Sequence, residues 1–274
     1  MRTGRLLLAA ILLALPRPGP GGMPVFPEAA APELYGRVVL DHASTRAGIP
    51  PVPFDHWRHR PIFSCRPCHV DAGFAMEAGG SQISRATNAA GMHCGACHDG
   101  KKLHEDEPVF AACSASGPFE AERCGRCHRA PGAATARRDY DALAQRLPTF
   151  GGRYIDWDLA EARGLVRPAD FVEGLSNRRD VMKIDADVPL KAKGTWLGDV
   201  TFSHAKHAVW SGCEGCHPEI FPSTKRGTAH VDMESIRAGK FCGVCHRTVA
   251  FPVAQCPKCH ESSMRGRGPR PVKF

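Results

Sequence analysis

Cys65-Arg-Pro-Cys68-His69 is a five-residue stretch whose pattern, Cys-x-x-Cys-His, returns five more times in this chain of 274 residues. The six copies contain twelve of the thirteen cysteines, and every pair of cysteines is followed by histidine. Six intact copies do not arise by chance, so we take them as the features that decide the fold. The other copies are Cys94-Gly-Ala-Cys97-His98, Cys124-Gly-Arg-Cys127-His128, Cys213-Glu-Gly-Cys216-His217, Cys242-Gly-Val-Cys245-His246 and Cys256-Pro-Lys-Cys259-His260.

The spacing within each motif is that of a covalent attachment site for c-type haem. Two thiols separated by two residues reach the two vinyl groups of one porphyrin and form thioethers. The histidine that follows then lies over the iron as an axial ligand. Zinc sites and redox disulfides also use paired cysteines, but neither needs a histidine after every pair. The sequence therefore predicts six covalently attached haem c groups, with the twelve motif cysteines as attachment points and the six motif histidines as iron ligands.

Residues 1–22 have the composition of a secretory signal, although no clear cleavage site marks its end. Arg2 and Arg5 precede an apolar run over 6–15, which Pro16 ends. The run is shorter than the roughly 20 residues that a membrane-spanning helix needs. We expect export to the periplasm, with outer-membrane association as a further option, and no transmembrane span in the mature chain.

Composition predicts that haem supplies much of the core. Aromatic residues make up only 7% of the chain, whereas glycine and proline number 28 and 23, which is little material for an ordinary hydrophobic core. The formal charge of +8 would favour an anionic partner, but the haem propionates cancel most of it. Outside the basic tail, 263–274, no basic run with interleaved aromatic residues occurs, so nucleic acid is not an expected partner.

The chain contains an internal repeat. A shift of 148 residues superimposes Phe54 on Phe202 and aligns the first two motifs with the fourth and fifth. The third motifs break this register, because the first unit carries a 16-residue insertion between His98 and Cys124. We predict two tandem triheme modules. Module one covers 35–130, a helical connector covers 131–187, and module two covers 188–262.

Local patterns predict short elements, and the fold class that follows is a multihaem cytochrome. It consists mainly of short α-helices and loops with small two-stranded β-hairpins, folded around haems. Asp232 is expected to cap a short helix that stops at Gly239, with 84–91 as its counterpart in module one. Hairpins are predicted for 37–40 with 52–54, and for 188–193 with 200–202.

Two helical faces are predicted in the connector, and we interpret them as packing surfaces that set the angle between the modules. The second of these helices is expected to end at Gly164, ahead of Pro168. The faces consist of Tyr140, Leu143 and Leu147, and of Ile155, Leu159 and Ala162.

Four histidines outside the motifs recur at equivalent positions in the two modules. Phe-Asp-His56-x-x-His59 precedes the first motif of module one, and Phe-Ser-His204-x-x-His207 precedes that of module two. A spacing of three residues puts both rings on about the same side of a helical turn, so each ring can reach a different iron. We expect these four residues, called the outer histidines below, to be sixth ligands.

The order of these features resembles the triheme cytochrome c7-type domain. Such domains are small relatives of cytochrome c3 and carry electrons in the periplasm of metal- and sulfur-reducing bacteria. Module two matches closely, module one matches through His98, and together they cover about half of the chain. The resemblance is carried by Phe-Ser-His204-x-x-His207, Cys213-x-x-Cys216-His217-Pro-x-Ile-Phe and Ala238-Gly-Lys-Phe-Cys242-Gly-x-Cys245-His246.

The resemblance also implies which haem each outer histidine ligates. His56 and His204 would ligate the first haem of their modules, and His59 and His207 the second. A third such histidine, a few residues ahead of the second motif in compact c7 domains, would ligate the last haem. Here the chain departs from the family, because module two has no histidine at that position.

The candidates for the third sixth ligand therefore differ between the modules. Module one offers His93, with His104 as the alternative. Module two offers His230, with Met233 as the alternative, and a methionine ligand would raise the potential of that haem. His42 has no counterpart in module two and is not an expected ligand. The unpaired Cys113, in the insertion, is interpreted as a buried thiol rather than an intermolecular link.

The predicted function is electron transfer without substrate turnover. An iron whose two axial positions are both filled by the protein has no open site and only changes its oxidation state. We expect a hexahaem carrier in anaerobic respiration or extracellular electron transfer. The expected partners are redox proteins: membrane quinol-oxidising cytochromes, outer-membrane conduit cytochromes or terminal reductases.

Two alternative functions belong to other classes. A multihaem reductase would need an open haem site, often marked by Cys-x-x-Cys-Lys, and that motif does not occur. A structural subunit of a cytochrome conduit or filament would also be compatible with tandem modules.

Overall fold

The computed structural model describes residues 30–114, 117–130, 132–151, 153–177, 187–192, 197–222, 225 and 227–260. The predicted signal, 1–22, and the basic tail, 263–274, lie outside the described residues. Within these ranges, no helix combines the length and the apolar character that crossing a membrane requires.

The named strands of the described chain form four antiparallel hairpins, each of two strands. The first and last are the predicted ones: Val38 lies opposite Phe54, and Val188 lies opposite Phe202. The hairpin therefore recurs in both modules, although the loop between its strands is two residues shorter in module two. They are β1 (Arg37–Leu40) with β2 (Val52–Asp55), β3 (Leu103–His104) with β4 (Glu107–Pro108), β5 (Thr149–Phe150) with β6 (Tyr154–Ile155), and β7 (Val188–Leu190) with β8 (Val200–Phe202).

The helices in the described ranges are short, as predicted, because glycine, proline and the haem motifs interrupt the chain. A π-helical turn at Pro67–Asp71 and 3-10 turns at His93–Ala96 and Cys256–Lys258 also occur at the motifs. The α-helices are α1 (His42–Arg46), α2 (His56–His59), α3 (Arg85–Ala89), α4 (Ala121–Cys124), α5 (Ala133–Ala144), α6 (Trp157–Ala162), α7 (His204–Ser211), α8 (Met233–Arg237) and α9 (Gly243–His246).

Helices α3 and α8 occupy equivalent places in the repeat and are capped in the same way. The Ser84 hydroxyl accepts a hydrogen bond from the Thr87 N–H at 3.2 Å, and the Asp232 carboxylate accepts one from the Ser235 N–H at 2.8 Å. After α8, Gly239 has φ +86°, a conformation that glycine adopts without strain. The predicted cap at Asp232 and the stop at Gly239 are confirmed.

Each of these helices ends against the glycine of the next haem motif. A Cβ atom at Gly95 would lie 1.8 Å from the carbonyl oxygen of Asn88, and one at Gly243 would lie 2.0 Å from that of Ile236. Glycine is needed because the motif backbone approaches the helix too closely for any side chain. The two modules are therefore alike in the packing of this helix against the motif as well as in sequence.

A cluster of buried apolar side chains joins the connector to module one. Trp57, Ala136, Tyr140 and Ile155 are each at most 6% exposed. The Trp57 indole N–H donates to the Glu33 carbonyl at 3.1 Å, and the Tyr140 hydroxyl accepts from the Ile155 N–H at 3.0 Å. Because Trp57 lies between the two histidines of α2, α5 packs directly behind that helix.

One of the two predicted helical faces is wrong. Ile155 belongs to β6, because the Asp156 carboxylate accepts a hydrogen bond from the Leu159 N–H and starts α6 one residue later. In the other face, Leu147 lies beyond the end of α5 at Ala144, although it still packs against the buried cluster. Of the wrong face only Ile155 is buried, since Leu159 and Ala162 are exposed on α6. Apolar spacing therefore indicated the packed side chains of the first face but not those of the second.

The connector also contacts module two. Asp156 forms an ion pair with Lys258, which lies inside the sixth haem motif. The rings of Trp157 and Trp210 meet edge to face with their centres 6.4 Å apart. The connector therefore lies between the two modules and packs on both.

Candidate functional site

Strand β2 and helix α2 bring two outer histidines to one place in module one. Strand β2 ends at Asp55, and α2 begins with His56. The Phe54 ring lies 4.9 Å, centre to centre, from the rings of both His56 and His59. In module two, Phe202 takes the same position, with centre distances of 4.9 Å to His204 and 4.2 Å to His207.

The contact between one phenylalanine and two histidines was missed in the sequence, although Phe54 and Phe202 align in the repeat. The phenylalanine is the last apolar residue of the strand, and its ring restricts both imidazoles at once. A recurring aromatic residue two positions before a histidine was the signal that could have indicated this role.

Three histidine pairs have nearly the same ring separation. The rings of His56 and His69 are 6.3 Å apart and within 2° of parallel. Two metal–nitrogen bonds of about 2 Å, with each ring centre about 1 Å behind its nitrogen, give about 6 Å between ring centres. The pairs therefore have the spacing of two imidazoles on opposite faces of one metal ion. The other pairs are His59 with His98 at 6.2 Å, and His207 with His246 at 6.3 Å.

These are pairs that the resemblance to c7 domains implies. Each joins one outer histidine to the motif histidine of the expected haem. His204 is half-buried at the start of α7, beside Phe202. Ligation of iron by any of these residues stays a prediction.

Hydrogen bonds orient most of the motif histidines. Because a carbonyl oxygen only accepts, an Nδ1 atom bonded to it carries the proton and leaves Nε2 for a metal ion. His56 and His207 show the same bond, to the carbonyls of Gly36 at 2.5 Å and Ser203 at 2.8 Å. Five motif histidines make this bond from Nδ1 to a backbone carbonyl oxygen: His69 to Phe74 at 3.0 Å, His128 to Pro50 at 2.8 Å, His217 to Phe221 at 2.6 Å, His246 to Phe251 at 3.2 Å and His260 to Gly198 at 2.7 Å.

Burial keeps the paired imidazoles neutral. It lowers the pKa of His56 to about 4, although the hydrogen bond to Gly36 acts in the opposite direction. Burial is also the main cause that lowers the pKa values of His59 and His246 to about 4. At pH 7 these rings are therefore uncharged, which is the form that binds a metal ion.

The motif cysteines also fit covalent haem attachment. All thirteen cysteines lie in the described residues and are free thiols, so the motif pairs are not engaged in disulfides. Burial, followed by the charge of neighbouring thiols, raises the pKa of Cys68 and of Cys245 to about 12. Paired thiols beside an oriented, neutral histidine are the donor set that haem c requires.

The candidates for the third sixth ligands have different surroundings. The His93 ring is half-buried against Phe74, with ring centres 5.2 Å apart, and its Nδ1 is buried without a hydrogen-bond partner among the described residues. His104 is exposed in β3, and His230 is exposed ahead of α8, whose first residue, Met233, is half-buried. Their assignments as ligands stay predictions.

Cys113 lies between two attachment sites of module one. Its thiol is half-buried, accepts a weak hydrogen bond from the Asn88 side chain at 3.8 Å, and contributes to raising the pKa values of Cys94 and Cys127. The insertion that carries Cys113 therefore folds back onto the second and third motifs.

Comparison with known proteins finds two matching stretches in the chain. The family model for cytochrome c7 and related cytochrome c matches residues 52–129 and 200–261. A solved c7-type three-heme cytochrome domain is 34% identical, over 30% of this chain and 99% of its own, with a TM-score of 0.26. A comparison with curated proteins gave no match.

Two hexaheme fragments of a dodecaheme cytochrome c are also similar to this chain. The C-terminal fragment is 26% identical, over 82% of this chain and 96% of its own, with a TM-score of 0.25. The N-terminal fragment is 24% identical, over 83% and 99%, with a TM-score of 0.24.

The two stretches that match the family model together make up slightly more than half of the chain. Each stretch contains three haem motifs and the two outer histidines ahead of them. The motifs, the ring pairs and the family match agree on haem c, covalently bound, as the cofactor. The chain therefore belongs to the family of cytochrome c7 and related cytochromes c, and it is a multihaem c-type electron-transfer protein.

Proposed function

We propose that this protein is an exported hexahaem electron carrier in which protein side chains fill both axial positions of each iron. The observation that supports it is the set of three histidine pairs with ring centres 6.2 to 6.3 Å apart. By the repeat, His204 with His217 forms the fourth pair. The first choices for the remaining two irons are His93 with His128 and His230 with His260.

Haem, when bound, supplies an iron that accepts and releases one electron. The two cysteines of each motif would hold the porphyrin, and each histidine pair would hold the iron. Hydrogen bonds from Nδ1 to backbone carbonyls fix the ring orientation, so the ligands need not move when the charge of the iron changes. With both positions filled, the chain offers no coordination site for a substrate.

We place the mature protein in the periplasm, on the basis of the signal predicted over 1–22. Its proposed partners are other redox proteins: quinol-oxidising cytochromes of the membrane, conduit cytochromes of the outer membrane or terminal reductases. The proposed role is to carry electrons between them in anaerobic respiration or extracellular electron transfer.

Carbon monoxide tests the axial ligation. The mature protein, reduced with dithionite at neutral pH, should keep its visible spectrum when carbon monoxide is added. Low-temperature EPR of the oxidised protein should show low-spin ferric haem. A stoichiometric spectral change with carbon monoxide would show an open iron and favour a multihaem reductase.

Intact-mass measurement of the same sample tests the stoichiometry and the export. The expected mass is that of the chain without its signal plus six haems. A mass excess of fewer than six haems, or haem that acidified acetone extracts, would contradict the covalent hexahaem assignment.

A further inference from the structure

Arg60 lies where the two modules and the connector meet. It follows α2 directly, and its guanidinium donates a hydrogen bond to the carbonyl of Val249, in module two, at 2.8 Å. The guanidinium carbon lies 5.1 Å from the ring centre of Trp157 in the connector and 4.9 Å from that of Trp210 in module two. One partly buried cation therefore contacts all three parts of the chain.

The haem attachment sites on the two sides of Arg60 are adjacent. The backbone N–H of Cys65 donates to the carbonyl of Trp210 at 2.6 Å. The Cys65 and Cys216 thiols are close enough to Cys245 to raise its pKa, although burial is the larger cause. The first site of module one therefore lies against the first and second sites of module two.

A second contact crosses the boundary at the same place. The Tyr35 hydroxyl, from module one, donates to the backbone carbonyl of His246 at 3.0 Å. His246 belongs to one of the three histidine pairs, so this bond connects module one to the second site of module two.

The order of the sites in space differs from their order in the sequence. In module one, the Cys94 and Cys97 thiols are close enough to Cys68 to raise its pKa, and the Cys127 thiol is close enough to Cys94 to do the same there, although burial is the larger cause in both. The sites of module one thus follow one another as third, second and first, and the first borders module two. Sequence order alone would have put the third site of module one next to module two.

Arg60 has no counterpart in the repeat. The residue 148 positions later is Ala208, which is exposed on α7. The residues directly before them, His59 and His207, are histidine in both modules. Arg60 is present in only one copy of the repeat and lies at the boundary between the two copies. We therefore assign its role to the boundary and not to the module.

We propose that Arg60 is the positioning residue of the junction between the modules. It holds the Cys65 site of module one against the Cys245 site of module two, and electrons cross between the modules there. A guanidinium stays protonated in proteins, and a fixed cation stabilises an electron added nearby, so Arg60 makes both flanking sites easier to reduce. One electron lost at one site is gained at the other, and no further reactant is needed. This inference rests on the proposed carrier function.

A redox titration of the full-length holoprotein tests whether the charge of Arg60 raises the potentials of the neighbouring haems. Arg60→Met removes the charge and keeps the length of the side chain, whereas Arg60→Lys keeps the charge and loses the planar stacking. The methionine variant should lower the potentials of one or two of the six haems, and the lysine variant should restore them toward wild type. The exposed Arg163, changed to Met, controls for net charge. Equal titrations for Arg60→Met and Arg163→Met, or equal shifts for Arg60→Lys and Arg60→Met, would overturn the proposal.

Electron exchange between the modules tests whether Arg60 positions the junction. This second test does not use the Arg60→Met variant. Broadening of the haem methyl NMR signals in half-reduced protein reports exchange between neighbouring haems. Arg60→Lys and Trp210→Leu should both slow exchange between the Cys65 and Cys245 sites and leave exchange within each module unchanged. Exchange as in wild type in both variants would contradict the junction, while carbon monoxide binding by the wild-type protein would contradict the carrier function instead.

Discussion

The two modules hold equivalent histidine pairs by different means. In module one, the residue before His56 is Asp55, whose fully buried carboxylate lies 2.6 Å from Arg37, 3.6 Å from Arg58 and 4.0 Å from Arg129. In module two the equivalent residue is Ser203. The ion cluster of module one therefore has no copy in module two, although both sites begin at the end of the same hairpin.

The packing behind the helix that carries the outer histidines differs as well. Trp57 anchors α2 to the connector core, whereas its equivalent, Ala205, is exposed on the longer helix α7. Even so, the equivalent pairs His59–His98 and His207–His246 have ring separations of 6.2 and 6.3 Å. The local sequence thus sets the spacing of the histidine pair, and the surrounding chain sets how firmly each module is held.

Removing one outer histidine from each module is the strongest way to compare them. His59→Ala and His207→Ala should each change the reduced holoprotein from no carbon monoxide binding to one molecule per chain, because each leaves one iron with an open face. The double variant should bind two. Spectral titration with carbon monoxide measures this.

The exposed His42, changed to Ala, is the matched control and should bind none. If either outer variant binds no carbon monoxide, that histidine is not an axial ligand, and the equivalence of the modules fails at that position.

Asp55→Asn tests the support that only module one has. The substitution leaves three arginines around a buried neutral amide, and breaking a buried ion pair in this way costs about 3 to 5 kcal/mol. We expect the loss to appear in guanidinium unfolding of the holoprotein, followed through the low-spin haem spectrum. Ser203→Ala, at the equivalent position, should change the unfolding free energy by less than about 0.5 kcal/mol. Equal losses for the two variants would mean that the ion cluster does not distinguish the modules.

Gly95→Ala and Gly243→Ala test a feature that the modules share. The added Cβ would overlap the carbonyl of the preceding helix in both, and such overpacking costs about 1 to 3 kcal/mol. We expect similar losses of unfolding free energy in the two variants. Gly132→Ala is the control, because its Cβ would lie 3.9 Å from the nearest atom. A loss at one motif glycine only would show that the packing is not equivalent.

The smallest expected effects come from the helix caps. Ser84→Ala and Asp232→Ala each remove a side chain that accepts the N–H of the third helical residue, at a cost of about 1 kcal/mol. Ser84→Ala should cost more, because the Ser84 hydroxyl also donates a hydrogen bond to the Thr87 hydroxyl at 3.2 Å, and the substitution removes both bonds. Thermal unfolding of both variants measures the difference, and a larger loss in Asp232→Ala would reverse this ranking.

Much of this arrangement could be predicted from the sequence because its information is local. Five-residue motifs, caps such as Asp232 and the two long hairpins depend on residues close together in the chain. The element that carries Ile155 could not be predicted, since its apolar spacing fits either a helical face or a short strand before a cap. Arg60 was missed for another reason. Its partner Val249 is 189 positions away, and no local pattern marks such a contact.

The burial of the motif thiols has a consequence for the maturation of the protein. A thiolate is the reactive form of cysteine, and burial in the folded chain raises the pKa of Cys65 and raises that of Cys245 to about 12. Thioether formation at these residues would therefore be slow once the chain has closed. The Cys65 contact with Trp210 spans 145 positions, so this closure must await the emergence of module two. Haem attachment in module one thus has an interval in which to finish, which ends when the second module packs against it.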